Sequence, residues 1–435
     1  MKATGFLAKM LGAALLLLAS SGVACAAEGG AIDTGDTAWI LASAALVLLM
    51  TPGLAMFYGG MVRKKNVLGT LMHSFIAIAV ISVQWVLVGY SLSFGPDAGG
   101  FVGSLQWFGL KGVGLEPSSY APTIPHLAFV IYQCMFAVIT PALISGAFAE
   151  RMKFSAYVLF ILLWSTLIYD PIAHWIWGSG GWLHGTLDFA GGLVVHLSSG
   201  VSALVAALVI GSRREYLKEP IRPHNLPMTV LGAGLLWFGW FGFNAGSALA
   251  SGSLSTLAFV TTHTAAATAT VVWVVAEWLH RGKATMFGAA TGAIAGLATI
   301  TPAAGFVSPS SAMVIGTAAA LLCYGALNMK TVLGYDDSLD AFGVHGIGGL
   351  TGTLGAGLFA SLAINPGGAN GLFLGNAHTL LVQVKAIGAV ALYSVVGTLV
   401  ILKALDWTVG LRVNEDQEVE GLDLSQHSEE GYFLS

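Results

Sequence analysis

Two histidines lie deep in long hydrophobic segments, each inside a glycine-rich phrase of similar wording: Asp188-Phe-Ala-Gly-Gly-Leu-Val-Val-His196 and Asp340-Ala-Phe-Gly-Val-His345-Gly. An ionisable ring is costly inside a bilayer and usually serves a pathway or a site. The two stand 149 positions apart (345 minus 196), which suggests a duplicated chain whose halves each bring one imidazole to a shared place. Such rings suit ligation of haem, ligation of a metal, or the lining of a conduction path. The plainer alternative is a pair of core histidines bonded to backbone carbonyls. No Cys-x-x-Cys-His run and no four-histidine pattern occurs, which disfavours haem. If the rings touch, one would donate a hydrogen bond to the other and the pair would titrate as a unit.

Aromatic residues supply the next candidates. Trp177 opens a Gly178-Ser-Gly-Gly181 stretch at the end of an apolar segment. It is either an interfacial anchor or a ring face that attracts a small cation. The run Trp237-Phe-Gly-Trp-Phe-Gly-Phe-Asn-Ala-Gly-Ser247 places Trp240, Phe243 and Ser247 at i, i+3 and i+7 of one helical stripe. Phe136, three residues after Gln133, is placed to offer a second phenyl ring from the other half, and stacked phenyls would form a dry gate. Asp188 heads a helix, where a carboxylate satisfies backbone donors and also favours cations nearby. Asp336, Asp337 and Asp340 are expected to cap and order a loop, whereas His73, His126, His174, His263 and His378 show no partner in the sequence.

What must position these residues is a helical membrane bundle. The 435 residues are 56% apolar and 9% charged, with a mean hydropathy of +0.79. A soluble chain carries about a quarter charged residues. Eleven apolar segments follow one another at about 38–61, 68–92, 126–148, 154–175, 189–210, 227–250, 255–279, 285–303, 312–329, 341–362 and 378–402. Each has the ~20 residues that a spanning helix needs, and no alternating barrel pattern occurs. The fold class is therefore an all-α integral membrane protein. With 57 glycines, its helices are expected to pack closely.

Residues 1–26 resemble a secretory signal: Lys2 and Lys9, an apolar stretch from Leu11 to Ala19, and Ala24-Cys25-Ala26 as a cleavage site. Of the 18 basic residues, 14 follow odd-numbered segments, so those ends are expected in the cytoplasm and the mature N-terminus outside. Five segments before the loop at 211–226 and five after it, starting on opposite sides, would be inverted repeats with an extra C-terminal helix. The membrane domain then covers 37–403, and 404–435 is a short acidic cytoplasmic tail. Cys134 and Cys323 have no metal-ligand spacing and are read as apolar filler. No metal site, cofactor, nucleic-acid surface or enzymatic centre is expected.

Long phrases from end to end resemble the ammonium transporter family (Amt/Mep/Rh), on its bacterial Amt branch. They include Pro52-Gly-Leu-Ala-Met-Phe-Tyr-Gly-Gly60, Gly146-Ala-Phe-Ala-Glu-Arg151, Pro171-Ile-Ala-His-Trp175, Leu187 to His196, Gly239-Trp-Phe-Gly-Phe-Asn-Ala-Gly-Ser247, Asp336 to Gly346 and Asp406-Trp-Thr-Val-Gly-Leu-Arg412. The resemblance implies a homotrimer in the cell (inner) membrane with one pore per subunit. It implies that Trp177, Phe136 and Ser247 recruit NH4+, and that Phe136 and Phe243 form a phenyl gate. His196 and His345 would be the twin histidines of the pore, Trp240 and Phe57 would line it, and Asp188 and Gln133 would support it. The partner implied is a PII-type signal protein on the cytoplasmic face. The tail's His427-Ser-Glu-Glu departs from the family's His-Gly-Glu at Ser428. Alternatives are a gas or methylamine channel nearer the Rh branch, an ammonium sensor signalling through its tail, and a haem-bearing oxidoreductase.

Overall fold

A computed structural model describes residues 32–432. The expected signal peptide, residues 1–26, lies outside the described residues. Eleven helical runs follow in order among them. They are α1 Thr34–Met61, α2 Lys64–Phe94, α3 His126–Ala147, α4 Phe154–Trp177, α5 Gly192–Ile210, α6 Leu226–Ala248, α7 Ser253–Arg281, α8 Met286–Ile300, α9 Pro309–Leu333, α10 (Phe342–Gly346 continuing as Ile347–Phe359) and α11 Ala377–Thr408. Nine are long and apolar enough to cross a membrane, and α8 and α10 are the shorter pair. The chain is a multi-pass membrane protein, and its outer surface agrees: Phe75, Trp278, Val332, Leu392 and Val400 are all more than 60% exposed. Apolar side chains in that position need lipid around them.

Between α2 and α3 the chain makes two small antiparallel hairpins, β1 Asp97–Ala98 with β2 Val102–Gly103 and β3 Pro117–Ser118 with β4 Ala121–Pro125. Asp36 near the start of α1 ties this loop to the α6–α7 connection, accepting from Thr123 Oγ1 at 2.6 Å and from Ser251 N at 2.7 Å. Two expected orphans find partners here. His174 contacts Ser93 O and Asp97 Oδ1, and His126 pairs with the Tyr90 hydroxyl.

The helices that carry the two histidines begin alike. In α5 the residues Gly192–Leu197, and in α10 Phe342–Gly346, form a single wide π-turn before regular α-helix resumes. A π-turn shifts the side chains that follow it and is found mostly at functional sites. Each wide turn is capped by a carboxylate eight positions before its histidine. Asp188 takes the N–H groups of Gly191, Gly192, Leu193 and Val194, and Asp337 takes those of Ala341 and Phe342. The repeated phrase had paired Asp188 with Asp340. The structure assigns that place to Asp337, because Asp340 adopts φ +62° and turns to Lys330 instead.

The crossing of α5 and α10 depends on glycine. A Cβ on Gly200 would lie 2.1 Å from Gly346 N, and one on Gly349 would lie 3.0 Å from His196 Cβ. Backbone therefore rests on backbone, which is what brings the two histidine-bearing turns together.

At the end of the bundle where the tail docks, loops from both halves converge on charge. Arg213 holds Asp336 through two parallel bonds of 2.8 Å, from Nε and Nη2, and reaches Glu150 at 3.1 Å. Glu150 also faces Arg63 at 3.0 Å. Asp336, expected as a loop cap, is thus an ion-pair partner. The short helices α12 Glu415–Glu420 and α13 Leu422–His427 lie over these loops, held by Arg412 with Glu418 at 2.7 Å, Leu422 N with Asn66 Oδ1 at 2.8 Å and Gly69 N with Asp423 Oδ1 at 2.8 Å.

Candidate functional site

Rings from five helices stack into a column through the middle of the bundle. Trp177, the last residue of α4, meets Phe136 of α3 edge-on at 6.0 Å between centroids. Phe136 stacks on Phe243 of α6 at 4.3 Å and 28°. Phe243 lies 5.9 Å from the His196 ring, and His196 lies 5.2 Å from His345 with the planes only 15° apart. Offset stacking at these separations is the favoured arrangement of aromatic pairs. Phe136 and Phe243 are both essentially fully buried, so no open passage runs between them.

Below the phenyl pair lies a cavity of about 10 Å³. That is space for about one water-sized molecule. Apolar side chains form most of its wall, among them Met50, Leu54, Phe57, Ile139, Leu236 and Ile294, with Trp240, Phe243, His196 and His345 completing it. Among the described residues, neither ring nitrogen of His196 and not Nδ1 of His345 has a hydrogen-bond partner. Such buried groups are normally bonded, and each exception needs an explanation. The imidazoles stack and do not bond one another, unlike the donor–acceptor pair that touching rings suggested.

Hydrogen bonds from outside the column fix several of its members and neighbours. The main-chain oxygen of Asp188 accepts from Trp177 Nε1 at 2.9 Å, so the residue that caps α5 also orients the outermost ring. Trp240 packs against His196 at 5.5 Å and 26° and donates its indole N–H to Thr301 Oγ1 at 2.9 Å. Ser247 lies in a tight turn just beyond the regular part of α6, where its hydroxyl donates to Phe243 O at 2.9 Å and stands 3.2 Å from the Tyr132 hydroxyl.

The structure thus brings Trp177, Phe136, Phe243, His196 and His345 into one column, with Ser247 bonded to the Phe243 carbonyl and Trp240 and Phe57 in the cavity wall. Gln133 is buried but outside that wall. Sequence reasoning misses Tyr132 and Thr301. Tyr132 sits one turn before Phe136, meets its ring at 5.0 Å and binds the carbonyls of Gly242 and Phe243, 110 and 111 positions away. Its place at i−4 to Phe136 was the one available clue. Among the described residues, no group of three His, Cys, Asp or Glu side chains is placed to hold a metal ion.

A multi-pass helical protein that brings one imidazole from each of two similar turns to a small apolar cavity is the class defined by the fold and the site. Comparison with known proteins narrows it. The chain belongs to the Ammonium Transporter Family, whose family model matches residues 38–432. It is 52% identical over 404 residues to the ammonium transporter of Bacillus subtilis, covering 92% of this chain and 99% of that one. It is 46% identical over 438 residues to the ammonium transporter of Aquifex aeolicus, covering all of both. Among solved structures, Saccharomyces cerevisiae Mep2 superposes with a TM-score of 0.84 at 37% identity over 88% of each chain. A structure described as a sensor Amt protein gives 0.82 at 28% identity, over 90% of this chain and 98% of that one. The family consists of transporters, not enzymes.

Proposed function

We propose that this protein carries ammonium across a cell membrane as neutral ammonia. The observation that carries the proposal is the pair of stacked imidazoles, with unpartnered nitrogens, facing a cavity of about 10 Å³. Trp177, edge-on to Phe136, offers a π-face to NH4+, and Ser247 is the hydroxyl assigned to the same recruitment step. The Phe136–Phe243 stack then bars any ion that keeps its water.

Ammonium and potassium ions are close in size, but only ammonium can give up a proton. An intact cation in so apolar a cavity would lose its hydration at a cost of several kcal/mol. NH3 loses far less, and the free nitrogens of His196 and His345 can accept from it or donate to it. The same rings are the candidates for relaying the released proton.

The wider proposal follows the positive-inside pattern. The signal peptide, residues 1–26, is removed, the N-terminus lies outside, and residues 37–403 form the transport domain with eleven crossings in two inverted halves. Residues 404–435 form a cytoplasmic tail, three chains make a trimer in the inner membrane, and a PII-type signal protein docks on the cytoplasmic face. The alternation of basic loops supports the orientation, and the tail bound to Arg214 through Glu415 and Glu418 supports a regulated face.

The decisive experiment reconstitutes the full chain in liposomes. Ammonium pulses should give uptake while K+ does not permeate, and replacing both His196 and His345 with leucine should abolish the ammonium-evoked current. Equal permeation of K+ would end the proposal, and an unchanged current in the double variant would remove the proton relay from it. Pull-down of the PII-type protein at varied ADP and 2-oxoglutarate tests the partner.

A further inference from the structure

Besides the two imidazoles, a single side-chain N–H belongs to the cavity wall, the indole N–H of Trp240. That donor points away from the cavity. It reaches Thr301 Oγ1 at 2.9 Å, and the Thr301 hydroxyl spends its own proton on Leu297 O at 2.8 Å, leaving the oxygen free to accept. Thr301 is completely buried and sits at the corner where α8 ends. The next residue, Pro302, anchors that corner: its carbonyl accepts from Phe189 N at 3.1 Å, and a Cβ on Gly192 would meet its ring at 2.4 Å. The acceptor is therefore held by the same segment that starts α5.

We infer that Thr301 is a specificity-determining positioning residue, which keeps the Trp240 donor turned out of the conduit so that the nitrogens of His196 stay free for the substrate. The inference rests on the transport function proposed above. A buried donor left without an acceptor is costly, so the surroundings tend to supply one. Deprived of Thr301, the indole N–H has two remedies. It can bond a nitrogen of His196, whose ring is 5.5 Å from its own, or it can draw water into the cavity. The first occupies the site that ammonia needs, and the second solvates a cation in the one stretch that rejects it.

The test uses the full-length protein in liposomes, reading ammonium uptake and K+ permeation for wild type, T301S, T301V and the double variant W240F/T301V. T301V nearly conserves volume but removes the acceptor. It should lower the ratio of ammonium to K+ permeation by about tenfold, the factor that goes with one lost hydrogen bond of ordinary strength. T301S keeps the oxygen and should match wild type. W240F/T301V has no donor left to satisfy, so it should reject K+ better than T301V does.

A T301V protein as selective as wild type would overturn the inference. So would a double variant that leaks like T301V, because Thr301 would then act by packing alone. If T301V cannot be purified folded, recovery of the double variant supports the inference through stability, and loss of both overturns it. A wild-type protein that carries no ammonium, or carries K+ with it, counts instead against the proposed function.

Discussion

At the scale of single residues, Asp188 carries the most. Its carboxylate closes four backbone donors of the wide turn, and its carbonyl sets the Trp177 ring. With all four donors aimed at it, the charge is stabilised locally and its capping role is complete without a cation. D188A leaves those donors without their acceptor, each at about 1–3 kcal/mol where no other partner replaces it. D188N keeps one acceptor oxygen. Thermal unfolding in detergent should therefore fall in the order wild type, D188N, D188A, and an alanine variant as stable as wild type would refute the assignment. The two histidines could be picked out from the sequence because each stands in a recurring glycine-rich phrase, Trp240 and Phe243 because they share one helical stripe, and Trp177 and Phe136 through the phrases and spacing around them. Thr301 and Tyr132 could not, since their bonds span 61 and 110 positions and leave no local pattern. The Asp340 pairing failed for a related reason: similar wording does not reveal which aspartate turns inward and which turns to a lysine.

At the scale of elements, the helical runs agree with the apolar segments to within a few residues, because a stretch of ~20 apolar residues admits little besides a spanning helix. The wide turns in α5 and α10 were invisible. A shift in hydrogen bonding from four residues to five changes no composition and no length. The α5–α10 crossing gives the prediction at this scale. G200A places a methyl carbon 2.1 Å from Gly346 N, a backbone atom that cannot rotate aside. Overpacking of this kind costs about 1–3 kcal/mol. The variant should lose thermal stability by that order, and any folded fraction should transport ammonium more slowly, since the imidazoles are carried on the parted helices. Full flux at full stability would show that the crossing has slack.

At the scale of the whole molecule, the tail and loops are bound by buried charge. Burial works to raise the Glu150 carboxyl, but the facing Arg213 and Arg63 outweigh it and hold the group below its ordinary range; Asp336 is held down against the same opposition, first by its bonds from Arg213. Acids lowered in this way stabilise the folded state fully above their ordinary values of about 4, and the stabilisation is lost as pH falls through the lowered ones. Hydrogen-exchange protection in the tail, residues 412–427, taken relative to the intrinsic rate at each pH, should accordingly be high at neutral pH and fall toward pH ~3. R213A, which takes from Asp336 its two-point partner and from Glu150 one of two arginines, should cost about 3–5 kcal/mol and free the tail at neutral pH; an undisturbed tail would contradict that.

Orientation is tested by labelling, with Cys25 replaced and the native Cys134 and Cys323 out of reach because they are buried. In intact cells an impermeant maleimide should react at H184C, in the α4–α5 connection, and not at K218C, in the α5–α6 connection. The reverse pattern would invert the topology. Finally, the seam of bare glycine backbone between α5 and α10 limits redesign. The spacing of the two imidazoles is set by main chain touching main chain, so no conservative exchange along that seam can widen the passage by degrees. A designer wanting room for a bulkier amine would have to trim the aliphatic side of the chamber, at Leu54, Leu236 or Ile294, and leave the joint between the halves as it is.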